Sequence, residues 1–221
     1  MNFKQLFLTV ILLIIFFQNC GLVDIGSATG TLKLVFSENG KVNTQNKSSG
    51  VLEHVLCVVK KGSDVVFSRY LTRIENSFLT EVDNLSRGND YSVTLYGRYG
   101  GNTYIEASAN RMNISISEEK VTIVKLSWSS FIPILLYPIN SEVVDNHNPL
   151  FQWNSVPGAE EYWFRIEDHP FQPGPSNINV TIDSCFILPD SLFGGTYFWT
   201  IRSLGHSNVF SQWADPDSFT I

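Results

Sequence analysis

The chain has 221 residues, is 43% hydrophobic, 13% aromatic and only 16% charged, and carries a formal charge of −6. That balance excludes a disordered tail, a collagen and a long solvated helix, and leaves a globular, aromatic-rich chain. The charge is uneven: residues 21–128 hold 12 Lys and Arg against 11 Asp and Glu, whereas residues 129–221 hold only Arg165 and Arg202 against ten carboxylates. An acidic second half argues against nucleic acid as a partner.

Lys4 is the one charge before residue 24, and Leu6 to Phe17 then run apolar with a single Thr. As a helix those twelve residues reach roughly 18 Å, short of a ~30 Å hydrocarbon core, so the segment reads as a secretory signal and not as a span. It ends Phe17-Gln18-Asn19-Cys20-Gly21. A Cys closing the apolar run resembles the lipobox of bacterial lipoproteins, although Phe17, Gln18 and Asn19 replace the usual Leu and small residues. The resemblance implies a signal over 1–19, acylation of Cys20, and attachment to the cell envelope, either the outer membrane or the cell surface. An ordinary signal cleaved nearby would make the protein secreted instead. Cys57 and Cys185 each sit in an apolar run and are expected to be buried thiols, with a Cys57–Cys185 bridge as the lesser alternative.

Residues 27–128 predict a β-sandwich. The expected strands are Thr31 to Ser37, Val51 to Lys60, Val65 to Leu71, Phe78 to Val82, one containing Tyr91, Val93 and Leu95, then Tyr104 to Ala107, Asn113 to Ser117 and Val121 to Leu126. The last two are expected to form a hairpin over the turn Glu118-Glu119-Lys120. The polar, Gly-punctuated stretch from Asn39 to Gly50 predicts a long loop. Leu85-Ser86-Arg87-Gly88-Asn89-Asp90-Tyr91 resembles the tyrosine corner of immunoglobulin-like and fibronectin type III sandwiches, which implies a Tyr91 hydroxyl tied back to the preceding backbone.

Residues 129–132, with Pro133 following, read as a linker. Residues 133–221 resemble a fibronectin type III domain. The motifs are ordered: Pro133 to Pro138 as an entering strand, Asn148 to Tyr162 with its core Trp153 and Pro157-Gly158 turn, Gly194 to Arg202 as a corner and late strand, and Ser211-Gln212-Trp213 with Ser218 to Ile221 as the end. Leu192 stands one residue nearer Tyr197 than the family's corner spacing. The fold class is therefore all-β: two tandem immunoglobulin or fibronectin type III-like antiparallel sandwiches after a signal peptide.

Alternation turns Phe151, Trp153, Tyr162, Phe164, Ile166, Tyr197, Trp199 and Ile201 inward. The opposite parity places Trp163, Arg165 and Glu167 outward on one strand, and Phe198, Thr200 and Arg202 outward on another; the fibronectin type III resemblance implies that these two strands are neighbours in one sheet. Trp163, Arg165, Phe198 and Arg202 thus form the candidate binding surface. Aromatics beside Arg suit a protein or glycan partner, but cross-strand stacking or packing on the first domain is the preferred reading, and Arg202 near Trp213 resembles the Arg–Trp stacking of some fibronectin type III domains.

No phosphate loop, His-Glu-x-x-His, Gly-x-Ser-x-Gly or Cys-x-x-Cys is present, so no enzyme, cofactor or catalytic residue is expected. Asp145, Asp215 and Asp217 resemble no dedicated calcium loop, and no metal is expected. The expectation is a lipid-anchored envelope protein acting as a non-enzymatic binding or spacer module. The alternative is a carbohydrate-binding surface lipoprotein using the exposed aromatics of the second domain.

Overall fold

The computed structural model describes residues 29–37, 52–71, 73–74, 77–100, 102–171 and 178–221. The signal segment, Cys20 and the loop expected from Asn39 to Gly50 lie outside them. Among the described residues the only helical element is one 3-10 turn, His206–Asn208, and no helix is long and apolar enough to cross a membrane.

The first sandwich is built from β1 (Thr29–Ser37), β2 (Leu52–Lys61), β3 (Asp64–Leu71), β4 (Arg73–Ile74), β5 (Ser77–Ser86), β6 (Gly88–Tyr99), β7 (Ala107–Ile116), β8 (Val121–Val124) and β9 (Ser129–Ser130). One sheet has the order β4-β5-β1-β8 and the facing sheet β3-β2-β6-β7-β9. Leu32 and Leu34 of β1, at alternate positions, are buried against Val55, Cys57, Val59, Val93 and Leu95 of the facing sheet. Tyr91 closes the corner as its motif implies: its hydroxyl donates to the Ser86 carbonyl at 2.7 Å.

The expected hairpin over residues 118–120 does not form. β7 stays beside β6, while β8 crosses to the other sheet and pairs parallel with β1, in register Thr31↔Val121 to Leu34↔Val124. Backbone bonds from Thr31 N–H to the Lys120 carbonyl and from Glu119 N–H to the Thr29 carbonyl hold this crossover. Two apolar runs around a polar turn look like a hairpin locally, but β8 gains more here by closing the open edge of β1.

The second sandwich contains β10 (Leu135–Tyr137), β11 (Glu142–Val143), β12 (Leu150–Trp153), β13 (Glu161–Glu167), β14 (Ile178–Thr181), β15 (Cys185–Ile187), β16 (Thr196–Gly205), β17 (Val209–Phe210) and β18 (Asp217–Thr220). A three-stranded sheet, β10-β12-β15, faces β11-β18-β16-β13-β14, with β17 beside β16. Phe151, Trp153, Tyr162, Phe164, Trp199, Ile201 and Phe219 fill the space between them. Phe151 alone meets Phe164, Trp199 and Phe219 at centroid distances of 4.7, 5.2 and 5.5 Å. The Trp199 indole N–H is satisfied by the Pro138 carbonyl at 2.7 Å. The corner closes despite the short Leu192 spacing, with the Tyr197 hydroxyl donating to the Phe193 carbonyl at 3.0 Å. Like the first sandwich, this one departs from strict antiparallel pairing at one edge, where β11 runs parallel to β18.

Cys57 is buried, but Cys185 is exposed, and both are free thiols. The expectation of two buried thiols therefore fails at Cys185. β15 is a short edge strand that turns Phe186 toward the core, so Cys185 and Ile187 on either side must face out.

The two sandwiches keep separate cores, and residues of the first extend the core of the second. β2 is buried at five successive residues, Val55 to Val59, where a strand in a two-layer sandwich buries only alternate ones. Val55, Cys57 and Val59 face their own core, while Leu56 and Val58 join the cluster of the second sandwich with Tyr96, Ile105 and Phe131. Ser129 and Ser130, in the segment expected to link the domains, pair with Ser108 and Ala107 as the last strand of the first sandwich.

Candidate functional site

β13 and β16 lie side by side in the register Trp163↔Arg202, Arg165↔Thr200 and Glu167↔Phe198. Paired residues share a face, so the four candidates Trp163, Arg165, Phe198 and Arg202 do come together on the outer side of one sheet. All four are half-buried, not exposed. The chain itself covers Trp163, Arg165 and Arg202. Residues 209–214 return beside β16, anchored by Ser211 N–H to the Ser203 carbonyl and Ala214 N–H to the Ile201 carbonyl. Thr200, expected to face solvent, is 3% exposed and donates its hydroxyl to the Ala214 carbonyl at 2.7 Å.

Two separate assemblies occupy this face. In the first, the Arg202 guanidinium carbon lies 4.7 Å from the Trp163 ring centroid, 4.2 Å from Phe210 and 4.5 Å from Trp213. Phe210 in turn meets Trp163 edge to face at 4.7 Å. Three ring faces around one cation supply the negative quadrupole that offsets its partial dehydration. Burial lowers the Arg202 pKa from its ordinary value, and the nearby Tyr104 acts in the opposite direction. Arg202 Nε and Trp163 Nε1 are buried with no hydrogen-bond partner among the described residues.

In the second assembly, Arg165 donates through Nε and a terminal nitrogen to one Glu167 oxygen, at 2.8 and 2.6 Å. The pair is 14% and 15% exposed, and His169 Nδ1 lies 3.2 Å from the other Glu167 oxygen. The Arg165 guanidinium also stacks 4.4 Å above Phe171. Both arginines of the second domain are thus engaged within the fold. Phe210, Phe171 and Tyr104 complete these assemblies, and none follows from strand parity. Phe210 lies in the segment where alternation breaks down, and Tyr104 comes from the other sandwich.

The junction is the other constellation of polar groups. The Tyr96 hydroxyl donates to the Gly158 carbonyl at 2.7 Å and accepts from His206 N–H at 3.1 Å. Burial pushes this phenol up to about 12, opposed by the His206 N–H bond and aided by the charge of Glu160. The Tyr96 ring sits edge to face on Phe131 at 5.4 Å. Ser108 Oγ donates to the Pro157 carbonyl at 2.6 Å, and Ile105 N–H donates to the Phe210 carbonyl at 2.8 Å. Lys60 meets Glu160 at 2.7 Å on the rim. The Pro157-Gly158 turn approaches so closely that a Cβ at Gly158 would stand 2.5 Å from Thr94, and the backbone there is already at φ +81°. A Cβ at Gly205 would run into the Tyr96 ring.

Near this junction Ser130, Ile132, Leu135, Ile139, Asp215 and Asp217 line an open cleft of about 230 Å³. Asp217 Oδ1 already accepts from Asn140 and Ser218 N–H, at 2.8 and 2.7 Å. Among the described residues no three His, Cys, Asp or Glu side chains gather as a metal site would require.

The strand orders and registers define the class: an all-β protein of two tandem immunoglobulin or fibronectin type III-like sandwiches. No protein-family model and no curated protein matches the chain. Among solved structures it is similar to a DUF3823 family protein from Parabacteroides merdae, at 13% identity and TM-score 0.30, covering 86% of this chain and 99% of that one. A DUF3823 family protein from Bacteroides ovatus matches at 10% identity and TM-score 0.29, covering 86% and 98%. The chicken CNTN1 FN1–FN3 domains match at 8% identity and TM-score 0.33, covering 76% of this chain and 55% of that one.

Proposed function

We propose that the protein is an exported, lipid-anchored cell-envelope protein that acts as a non-enzymatic, rigid spacer and binding module. In this reading Cys20 carries the acyl chains and residues 1–19 are removed. The first sandwich stands nearest the membrane, and the second is presented beyond it for contact with a protein.

The observation that carries the spacer role is the junction. Domains in tandem move relative to one another unless their interface is large and apolar. Here Leu56, Val58, Tyr96, Ile105 and Phe131 belong to the same buried cluster as Phe151 and Trp199. A module joined in this way holds its far end at a set distance and angle. The glycan alternative is weaker on the same grounds, because Arg202 occupies the ring faces of Trp163 and Trp213 that a sugar would need.

The test is the mass of the mature N-terminal peptide from the native host. Cys20 bearing acyl chains supports the anchored reading. An unmodified N-terminus at any other residue overturns it and makes the protein secreted.

A further inference from the structure

The two arginines of the second sandwich stand on one sheet face, and the fold treats them differently. Arg165 is given a carboxylate, since Glu167 accepts from its Nε and a terminal nitrogen at 2.8 and 2.6 Å. Arg202 is given rings, since Trp163, Phe210 and Trp213 lie 4.7, 4.2 and 4.5 Å from its guanidinium carbon. Residues 129–221 hold ten carboxylates, yet among the described residues none stands within ion-pair distance of Arg202. The rings attract the cation through their quadrupoles but offer it no acceptor. Its Nε is buried and unpaired, as is the neighbouring Trp163 indole nitrogen. Arg202 as a whole is only half-buried, so its terminal nitrogens are the part that solvent reaches.

The rings that hold this cation are themselves tied down. Trp163 pairs directly with Arg202 across β13 and β16. Phe210 pairs with Leu204, and its carbonyl accepts from Ile105 N–H of the first sandwich at 2.8 Å. Ala214, next to Trp213, donates its N–H to the Ile201 carbonyl at 2.8 Å. The guanidinium therefore keeps one orientation before any ligand arrives, and little side-chain freedom remains to be lost on binding. Tyr104, 41% exposed, adds a phenol nearby. Arg, Trp and Tyr are the residues that most often dominate binding at protein interfaces.

We propose that the terminal nitrogens of Arg202 are a docking point for a single carboxylate, an Asp or Glu side chain of a partner protein. The proposal rests on the reading of the second sandwich as the protein-contact module, and names the group it contacts. Two parallel N–H donors of a planar guanidinium match the two oxygens of a carboxylate. The cation already occupies the ring faces, which leaves a sugar no surface on which to stack. Two arginines against ten carboxylates make the domain repel polyanions such as nucleic acid or a sulfated glycan. A lone carboxylate set in a neutral or basic partner surface meets the least repulsion and is complementary to the acidic surroundings.

Nitrogen-15 NMR of the full chain in a mild detergent tests this through the Arg Nε–H and Trp indole N–H signals. The probe is glutamate blocked as its N-acetyl amide, and blocked glutamine is its neutral match. Blocked glutamate is expected to shift the Arg202 Nε–H and Trp163 indole signals saturably, with a Kd of about 1–10 mM, and to leave the Arg165 Nε–H in place. Blocked glutamine is expected to shift neither. R202K keeps the charge but loses the planar fork, and is expected to weaken binding by about tenfold, read on the Trp163 indole. The wild-type titration does not depend on how well that variant folds. Absence of a saturable shift overturns the proposal, and so do equal shifts with blocked glutamine or with sodium chloride at the same ionic strength. Tighter binding of glucuronate overturns it too, by assigning the site to an acidic sugar. Each of these outcomes leaves the anchored spacer standing, because that reading is decided by the mass of the N-terminal peptide.

Discussion

Replacing Tyr96 by Phe removes one oxygen atom from the junction and leaves the ring in place against Phe131. The Gly158 carbonyl loses its donor at 2.7 Å, and the His206 N–H loses its acceptor at 3.1 Å. A buried group left without a partner costs about 1–3 kcal/mol. Two such groups in a part-buried site sum to about 2–3 kcal/mol, which for a chain of this size lowers Tm by about 5–10 °C. The loss falls between the sandwiches, so urea unfolding followed by the aromatics of each half is expected to split into two transitions. Small-angle scattering is expected to show a broadened distribution of interdomain distances. Y91F is the control, since its hydroxyl bonds within the first sandwich at 2.7 Å, and its loss leaves the interdomain distances unchanged. A Y96F protein within about 0.5 kcal/mol of wild type, with one cooperative transition and an unaltered scattering curve, refutes the view that this hydroxyl locks the two sandwiches.

Other consequences are open to simple assays. W163A removes one wall of the Arg202 stack and strips its edge contact with Phe210, so denaturant unfolding is expected to show a loss of about 2–3 kcal/mol. An unchanged midpoint together with abolished glycan binding would revive the glycan reading. Burial pushes the Cys57 thiol up to about 12 from an ordinary value near 9, so at pH 8 an aromatic disulfide reagent titrates Cys185 at once and Cys57 only after denaturant is added. The same shift sets a sign for stability. Between about pH 9 and 12 the unfolded chain releases the Cys57 proton and the folded chain retains it, so stability falls as pH rises through that window. Tyr96 adds to this loss above its ordinary value near 10. C57V is expected to flatten the lower part of the decline, and an identical alkaline profile in that variant would exclude Cys57 as its source.

Much of the fold was legible in the chain because it is written in local chemistry. Alternation alone places Leu32 and Leu34, Phe151 and Trp153, and Tyr162 and Phe164 in the core, since a side chain's face in a strand depends only on parity. Both tyrosine corners were legible for the same reason, because Tyr91 and Tyr197 reach backbone only five and four residues away. That Trp163 and Arg202 share a face could also be read, given the resemblance that makes their strands neighbours; their direct pairing comes from the structure.

What parity could not supply was the environment on the far side of each sheet. The run from Val51 to Lys60 was legible as a strand, but only the assembled protein reveals that it is buried on both faces, with Leu56 and Val58 against the second sandwich. The stacking of Arg202 on Trp213 was legible through the fibronectin type III resemblance, but Phe210 was not, because it follows the turn at His206–Asn208, where alternation is broken. The path of β8 to β1, in place of a hairpin with β7, was settled by the free edge it fills, and the exposure of Cys185 by its place on an edge strand. Strand identity and inward face follow from interactions a few residues long. Which sheet a strand joins, and what closes over it, follow from contacts between residues far apart in sequence, and those exist only once the two sandwiches have packed together.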